Sequence, residues 1–203
     1  MSLIIPFSEA CERNKDPILE RLSPYLTDGI SVLEIGTGTG QHVVHFAPAN
    51  NEVIWQPTDQ AQYLDGIAAQ LQTRSIANIN PALELDVTVR PWLGGSQQFD
   101  LIYSANTLHI MPWDSVTDFF AGLQDVTTRS ATLFVYGPFK FGGEHTSASN
   151  AAFDESLQAR GVGSGIRDFE ALDALASDQG FQLEAKHAMP ANNFCLIWRR
   201  IDS

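Results

Sequence analysis

Val32-Leu-Glu-Ile-Gly-Thr-Gly-Thr-Gly40 is the stretch on which the reading of the fold turns. Ser31 to Ile35 is a short apolar run that reads as a strand, and it leads straight into glycines at 36, 38 and 40. Val43, Val44, Phe46 and Ala47 then recur at helical spacing, and Pro48 closes the segment. Strand, glycine turn and helix together make the opening unit of an open parallel sheet, whose ligands bind at the carboxyl ends of the strands. Glycine takes backbone angles closed to other residues and lets a ligand approach without a Cβ in the way. The helix that follows presents unpaired N–H groups to the same place.

Outward from this unit the chain alternates. Before it, Asp16-Pro17 suits a helix start, since Asp caps and Pro fits the first helical position. Ile18, Leu19, Leu22, Tyr25 and Leu26 carry the helical period from there. After it, Glu52 to Trp55 reads as a second strand closed by Pro57-Thr58-Asp59, Leu64, Ile67, Ala68 and Leu71 mark a helix, and Ala82 to Val87 reads as a third strand. Phe99 to Ala105 is an almost unbroken apolar run, the pattern of a strand covered on both faces. Val116, Phe119, Phe120 and Leu123 mark the next helix, and Ala131 to Tyr136 a fifth strand stopped by Gly137-Pro138. Phe169 to Ser177 is a last helix capped at Gly180. Phe181 to Met189 and Asn193 to Arg199 are separated only by Pro190-Ala-Asn192, so they form a hairpin whose last strand enters the sheet antiparallel. The prediction is an α/β, Rossmann-like sheet with helices on both faces. Phe139 to Gly165, rich in Gly, Ser and Ala and helical over Ala151 to Arg160, is an excursion placed to act as a lid or substrate wall.

A chain of 203 residues favours one domain. Its 12 Lys+Arg against 24 Asp+Glu give a net charge of −12, which argues against an extended nucleic-acid surface. Hydrophobic residues at 44% against 18% charged supply a core and argue against a disordered acidic tail. Cys11 and Cys195 make no CxxC pair, zinc spacing or disulfide framework, which fits a reducing cytoplasm. No apolar run reaches the roughly 18 residues that span a bilayer. Met1-Ser-Leu-Ile-Ile-Pro6 lacks the positive region of a signal peptide.

Two ligand classes use a glycine turn of this kind. A dinucleotide site wants G-x-G-x-x-G, with the pyrophosphate on the helix N-terminus. Here the spacing is G-x-G-x-G at Gly36, Gly38 and Gly40, and position 41 is Gln. A site for an adenosyl sulfonium has no pyrophosphate to cradle, and Glu34 with the Thr37 turn suits a ligand that carries an ammonium and a sulfonium. Asp59, 19 residues after Gly40 and followed by Gln60, can accept both hydroxyls of a ribose in either class. Asp86 can accept from an exocyclic adenine amine, while the N–H of Val87 donates to a ring nitrogen. Each also has a bland reading, Asp59 as a turn former and Asp86 as a strand-end carboxylate in water. The fourth strand delivers Asn106 to the same edge.

Val32 to Gly40, Asp59, Asp86 and Phe99-Asp-Leu-Ile-Tyr103 resemble, in order and spacing, the class I S-adenosylmethionine-dependent methyltransferases. Phe7-Ser-Glu-Ala-Cys-Glu-Arg-Asn-Lys-Asp-Pro-Ile-Leu19, Trp55-Gln-Pro-Thr-Asp59, Asn106-Thr-Leu-His-Ile-Met-Pro-Trp113 and Tyr136-Gly-Pro-Phe-Lys140 are similar to the DUF938 (UPF0585) family over nearly the whole chain. The resemblance implies a seven-stranded sheet of order 3-2-1-4-5-7-6 with the seventh strand antiparallel, S-adenosyl-L-methionine as cofactor, and methyl transfer to an acceptor it does not name. Residues 1–28 are then a cofactor-covering segment and 138–166 the lid of a single domain. No Asn/Asp-Pro-Pro-Tyr follows the fourth strand, where the string is Ser104-Ala-Asn-Thr107; with the acidity, this points to a small-molecule acceptor, with a protein side chain as the alternative.

Transfer from a sulfonium depends on holding the acceptor aligned with water excluded. A base is needed only where the acceptor must lose a proton. His109, three residues after Asn106, is the candidate base, against a structural loop histidine. Asn106 anchors either the acceptor or the methionine part of the cofactor, or simply caps a turn. Arg13 can fork onto the cofactor carboxylate, against a solvated surface arginine. Trp113 and Phe139 are candidates for an apolar wall or for core. Glu144 and His145 lack a third ligand, so no metal site is expected. His42 and His45 share a helical face and are read as packing, and Cys11 and Cys195 as buried thiols. The rivals are a catalytically silent cofactor-binding module and an NAD-dependent oxidoreductase, the latter lacking both its glycine spacing and a Tyr-x-x-x-Lys relay. Oligomeric state is not legible.

Overall fold

A computed structural model describes residues 5–201. Residues 1–4, on which most of the signal-peptide reading falls, and 202–203 lie outside the described residues. The main sheet has β1 (Ser31–Ile35), β2 (Ile54–Asp59), β3 (Leu83–Glu84), β4 (Phe99–Ala105) and β5 (Thr127–Gly137) running parallel. Three short strands, β6 (Phe139–Phe141), β7 (Glu144–His145) and β8 (Arg167–Asp168), form a separate small sheet. β9 (Phe181–Met189) and β10 (Asn193–Arg200) complete the main one, with β10 antiparallel to both β5 and β9. The order β3-β2-β1-β4-β5-β10-β9 is the expected 3-2-1-4-5-7-6 once the small sheet is set aside.

Side chains alternate across the strands, so the sheet has two distinct apolar faces. Leu33, Ile35, Ile102, Leu133, Val135, Leu196 and Trp198 point to one face, under α4 (Trp113–Val126) and α6 (Phe169–Asp178). Val32, Leu101, Tyr103, Phe134, Cys195 and Ile197 point to the other, under α1 (Glu9–Leu22) and α2 (Gln41–Phe46). On the first face the indole of Trp92 lies flush against α4, where Gly122 makes room: a Cβ at 122 would fall 2.1 Å from the ring.

Several elements differ from their sequence reading. α1 begins at Glu9 rather than Asp16, because the Ser8 hydroxyl caps it by accepting from the Cys11 N–H. Pro17 therefore sits inside the helix and leaves the Arg13 carbonyl without its usual donor. β2 runs through Pro57 instead of ending there. The side of β2 that Trp55 presents is bonded outward to Asn78 and Asn80, and β3 pairs only from Thr58 onward, so the missing N–H of Pro57 interrupts no ladder. β3 is two residues long rather than the expected 82–87, and β5 starts at Thr127, four residues early. In α3 (Leu64–Gln72) Ala69, not Ala68, is buried beside Ile67. The 139–165 excursion contains α5 (Ala148–Gln158), near the expected helix at 151–160, together with β6 and β7; the small sheet that these strands form with β8 has no counterpart in the sequence reading.

Candidate functional site

A cavity of about 620 Å³ opens at the carboxyl edge of β1, β2 and β4. Gly36 and Gly38, at φ +76° and +61°, carry the turn after β1 along its floor. A Cβ on Gly36 would sit 2.7 Å from the Thr107 hydroxyl, so the close approach of this turn to the β4 edge depends on glycine there. Gly38 meets nothing nearer than 4.0 Å and faces open space. Gly40, at φ +75°, starts α2 and lies off the cavity lining, packed towards Gln70.

The turn is held from beneath. Thr37 donates its hydroxyl to Glu34 at 3.0 Å and accepts the Thr58 N–H at 3.1 Å, while the Thr58 hydroxyl donates to the Glu34 carbonyl at 2.7 Å. Glu34 is buried behind the turn and does not line the cavity. Burial pushes its carboxyl up to about 8; Thr37 opposes the shift and Asp59 adds to it. Gln41, where a dinucleotide loop has its third glycine, ties α1 across the turn instead. Its side-chain oxygen accepts from the Ser8 N–H at 2.6 Å and from the Thr39 hydroxyl, and its amide donates to Glu12.

Asp59 stands at the end of β2 in the cavity wall. Its Oδ2 accepts the Gly38 N–H at 2.7 Å and its Oδ1 the Gln60 N–H at 2.8 Å. Each oxygen keeps a further lone pair, so the carboxylate can still receive two hydroxyls. Partial burial raises its pKa, against the two N–H donors. Asp86 lies further along the lining with Leu85, Val87 and Thr88. Its Oδ1 takes the N–H and hydroxyl of Thr88, which hold it below the usual carboxylate range, with a smaller contribution from the Gln60 side chain. Asn106, in the left-handed region at φ +57°, closes the lining at the end of β4.

Of the residues singled out in the sequence, the structure thus brings together Gly36, Thr37, Gly38, Asp59, Gln60, Asp86, Val87 and Asn106. It places others elsewhere. Arg13 projects from the exposed side of α1, its side chain 73% exposed and 3.9 Å from Glu9. His109 is buried behind the lining, with its ring 5.5 Å from that of Phe153 on α5, and burial lowers its pKa to about 4, aided by Arg167 and Arg160. Two residues read as bystanders line the cavity. Cys11 comes from α1, with its thiol pKa raised by burial. His42 stacks on Phe46; its Nε2 lies 2.7 Å from Asn14 Oδ1 and its Nδ1 3.1 Å from the Tyr103 hydroxyl. Burial lowers the His42 pKa to about 4, so the ring is a neutral link between two buried partners rather than plain packing. Ser8, Tyr63 and Ile110-Met111-Pro112 complete the mouth. No group of three or more His, Cys, Asp or Glu among the described residues is placed to hold a metal ion, and no helix there is long and apolar enough to cross a membrane.

The sheet order, the antiparallel last strand and the glycine turn at its carboxyl edge define the class I methyltransferase fold. An O-methyltransferase family protein from Burkholderia thailandensis superposes with TM-score 0.80 at 12% identity, over 96% of this chain and 58% of that one. Human N-acetylserotonin methyltransferase in complex with SAM gives 0.79 at 13%, over 96% and 53%. Mitomycin 7-O-methyltransferase gives 0.74 at 17%, over 90% and 53%. The chain thus spans little more than half the length of these proteins. Residues 5–200 match the family described as "Protein of unknown function (DUF938)", and the chain belongs to that family.

Proposed function

We propose that the chain binds S-adenosyl-L-methionine in this cavity and transfers its methyl group to a small-molecule acceptor. The observation that carries the reading is Asp59, tied to the glycine turn through the Gly38 N–H yet keeping a lone pair on each oxygen, in one lining with Asp86 and Val87. Ribose hydroxyls fit the first carboxylate; an exocyclic amine and a ring nitrogen fit the Asp86–Val87 pair. Gly38, open on the cavity side, leaves room for the amino-acid end. The structural neighbours, which include a complex with SAM, support the same ligand. When bound, the cofactor supplies an electrophilic methyl on a sulfonium. The chain's own part is to hold donor and acceptor in line and keep water out. The acidity of the chain and its lack of the base-methylating motif support a small acceptor over a nucleic acid.

In this reading the segment up to residue 28 covers the cofactor, with Ser8 and Cys11 reaching the lining from α1, and 138–166 forms a lid within a single domain. His109 lies under that lid, as a base for acceptors that must lose a proton or as a structural imidazole. The two free cysteines suit a cytoplasmic setting.

Titration calorimetry with the sulfonium donor and with NAD separates cofactor classes: the first is expected to bind and the second not. Asp59→Ala is expected to weaken the donor at least tenfold, about 1.4 kcal/mol; unchanged affinity removes Asp59 from the site. Incubation with methyl-labelled cofactor and a metabolite extract is expected to give a labelled product. Tight binding with no product would favour the silent module.

A further inference from the structure

After β4 the chain makes a tight turn at 107–111 before α4, and Ile110, Met111 and Pro112 of this connection line the cavity. Four consecutive carbonyls, 108 to 111, accept hydrogen bonds from one other segment, 164–167, just before and within β8. The Arg167 guanidinium donates Nε to Leu108 at 3.0 Å and Nη2 to Met111. Gly165 donates its N–H to His109 at 2.9 Å, and the Ser164 hydroxyl donates to Ile110 at 2.8 Å. The same guanidinium closes back on the Gly163 carbonyl at 2.9 Å and lies over the Trp113 ring. The far side of the segment is fixed too, since buried Asp154 of α5 accepts the Ile166 N–H at 2.7 Å. Leu85 to Thr88 line the same cavity, and Met111 packs against the apolar cluster that holds Leu85 and Val87.

We propose that Arg167 is a positioning residue for the cofactor's base: acting through the 108–111 carbonyls, it holds Ile110, Met111 and Pro112 as one wall of a cleft whose other wall carries Asp86 and Val87. This rests on the reading of the cavity as a cofactor site. A turn whose outward carbonyls are each met by a fixed donor cannot drift, so the cleft keeps its width. Hydrogen bonds from a base to Asp86 and Val87 depend on angle and weaken steeply when the ring tilts. A loosened wall therefore costs selectivity between bases as well as affinity.

The test is the ratio of dissociation constants for S-inosylhomocysteine and S-adenosylhomocysteine, by calorimetry, with the unfolding midpoint of each variant. Hypoxanthine offers Asp86 no exocyclic amine, so the wild-type protein is expected to favour adenine about tenfold. Arg167→Ala is expected to narrow that ratio to roughly threefold or less, with Arg167→Lys in between because an ammonium rebuilds only part of the fan. Ser164→Ala, which keeps the guanidinium, narrows it least and serves if the alanine variant at 167 does not fold. Narrowing in that order supports the proposal. A merely structural role lowers both affinities by one factor and leaves the ratio intact. An intact ratio in folded Arg167→Ala, or in Ser164→Ala where the former does not fold, overturns the inference while the cofactor reading stands. Failure of the wild-type protein to bind S-adenosylhomocysteine takes down both.

Discussion

The two faces of the sheet are built to different rules. Under α4 and α6 the packing is aromatic and aliphatic: Trp92, Phe119, Phe120, Trp198 and Phe181 share one cluster, whose indoles donate to single acceptors, Trp92 to the Val87 carbonyl and Trp198 to Asp173. Under α1 and α2 the apolar packing is threaded by a polar line in which Asn14 meets His42 and His42 meets Tyr103, while Glu34 and Thr37 hold the glycine turn. Buried polar groups are costly unless they are satisfied, and satisfied ones fix geometry. The first face therefore holds the sheet by apolar packing that reaches the edge through Leu85 and Val87, and the second fixes the glycine turn and His42 there by satisfied polar contacts.

The largest expected effect breaks the first face alone. Phe119→Ala opens a cavity beside Trp92 and Phe120 and is expected to cost about 3–5 kcal/mol of unfolding free energy in denaturant titration. In the folded fraction it should leave cofactor affinity unchanged; a large change there would erase the contrast. On the other face, His42→Leu keeps the bulk but strips partners from Asn14 and from the buried Tyr103 hydroxyl. About 1–3 kcal/mol for each orphaned group is expected in the same titration, this time with weaker cofactor binding because His42 lines the cavity. The smallest effect is a slope. Glu34 is raised to about 8 in the folded chain, so between its unfolded value and pH 8 the native state holds the extra proton. Stability contributed by that proton is present at low pH and lost as pH rises through 8, at roughly 1 kcal/mol per pH unit. His42 and His109, lowered to about 4, act the opposite way, losing stability as pH falls from 6.5 towards 4. From pH 6.5 to 8 only the Glu34 slope is expected among these three, and Glu34→Gln should flatten it in thermal melts; a slope that persists would place its origin elsewhere.

The legibility of the chain follows the same division. β4 was readable to the residue because burial on both faces writes an unbroken apolar run. β3 is shorter than its sequence suggests because most of Ala82 to Val87 is not paired. The start of α1 was hidden because Glu9 to Asp16 carries almost no apolar stripe, and its cap, Ser8, looks like any loop serine. Asp59 and Asp86 stood out as carboxylates at strand ends. Cys11 did not, since it reaches the edge from the first turn of α1, where no apolar stripe marks a helix. His42 passed for packing because its partners, Asn14 and Tyr103, are 28 and 61 residues away. Arg167 left no signal at all: three of its acceptors are main-chain carbonyls, which have no residue identity to read.

The slot at Gly122 has a mechanical consequence for the far end of the same helix. With the indole of Trp92 seated in it, α4 can neither spin about its axis nor slide lengthwise without driving backbone into the ring. Ser115, in the first turn of α4, reaches the cavity lining. A wedge on the sheet's apolar side thus acts as a locating pin for that first turn, and the exposed positions 114 and 117 tolerate substitution where 122 does not.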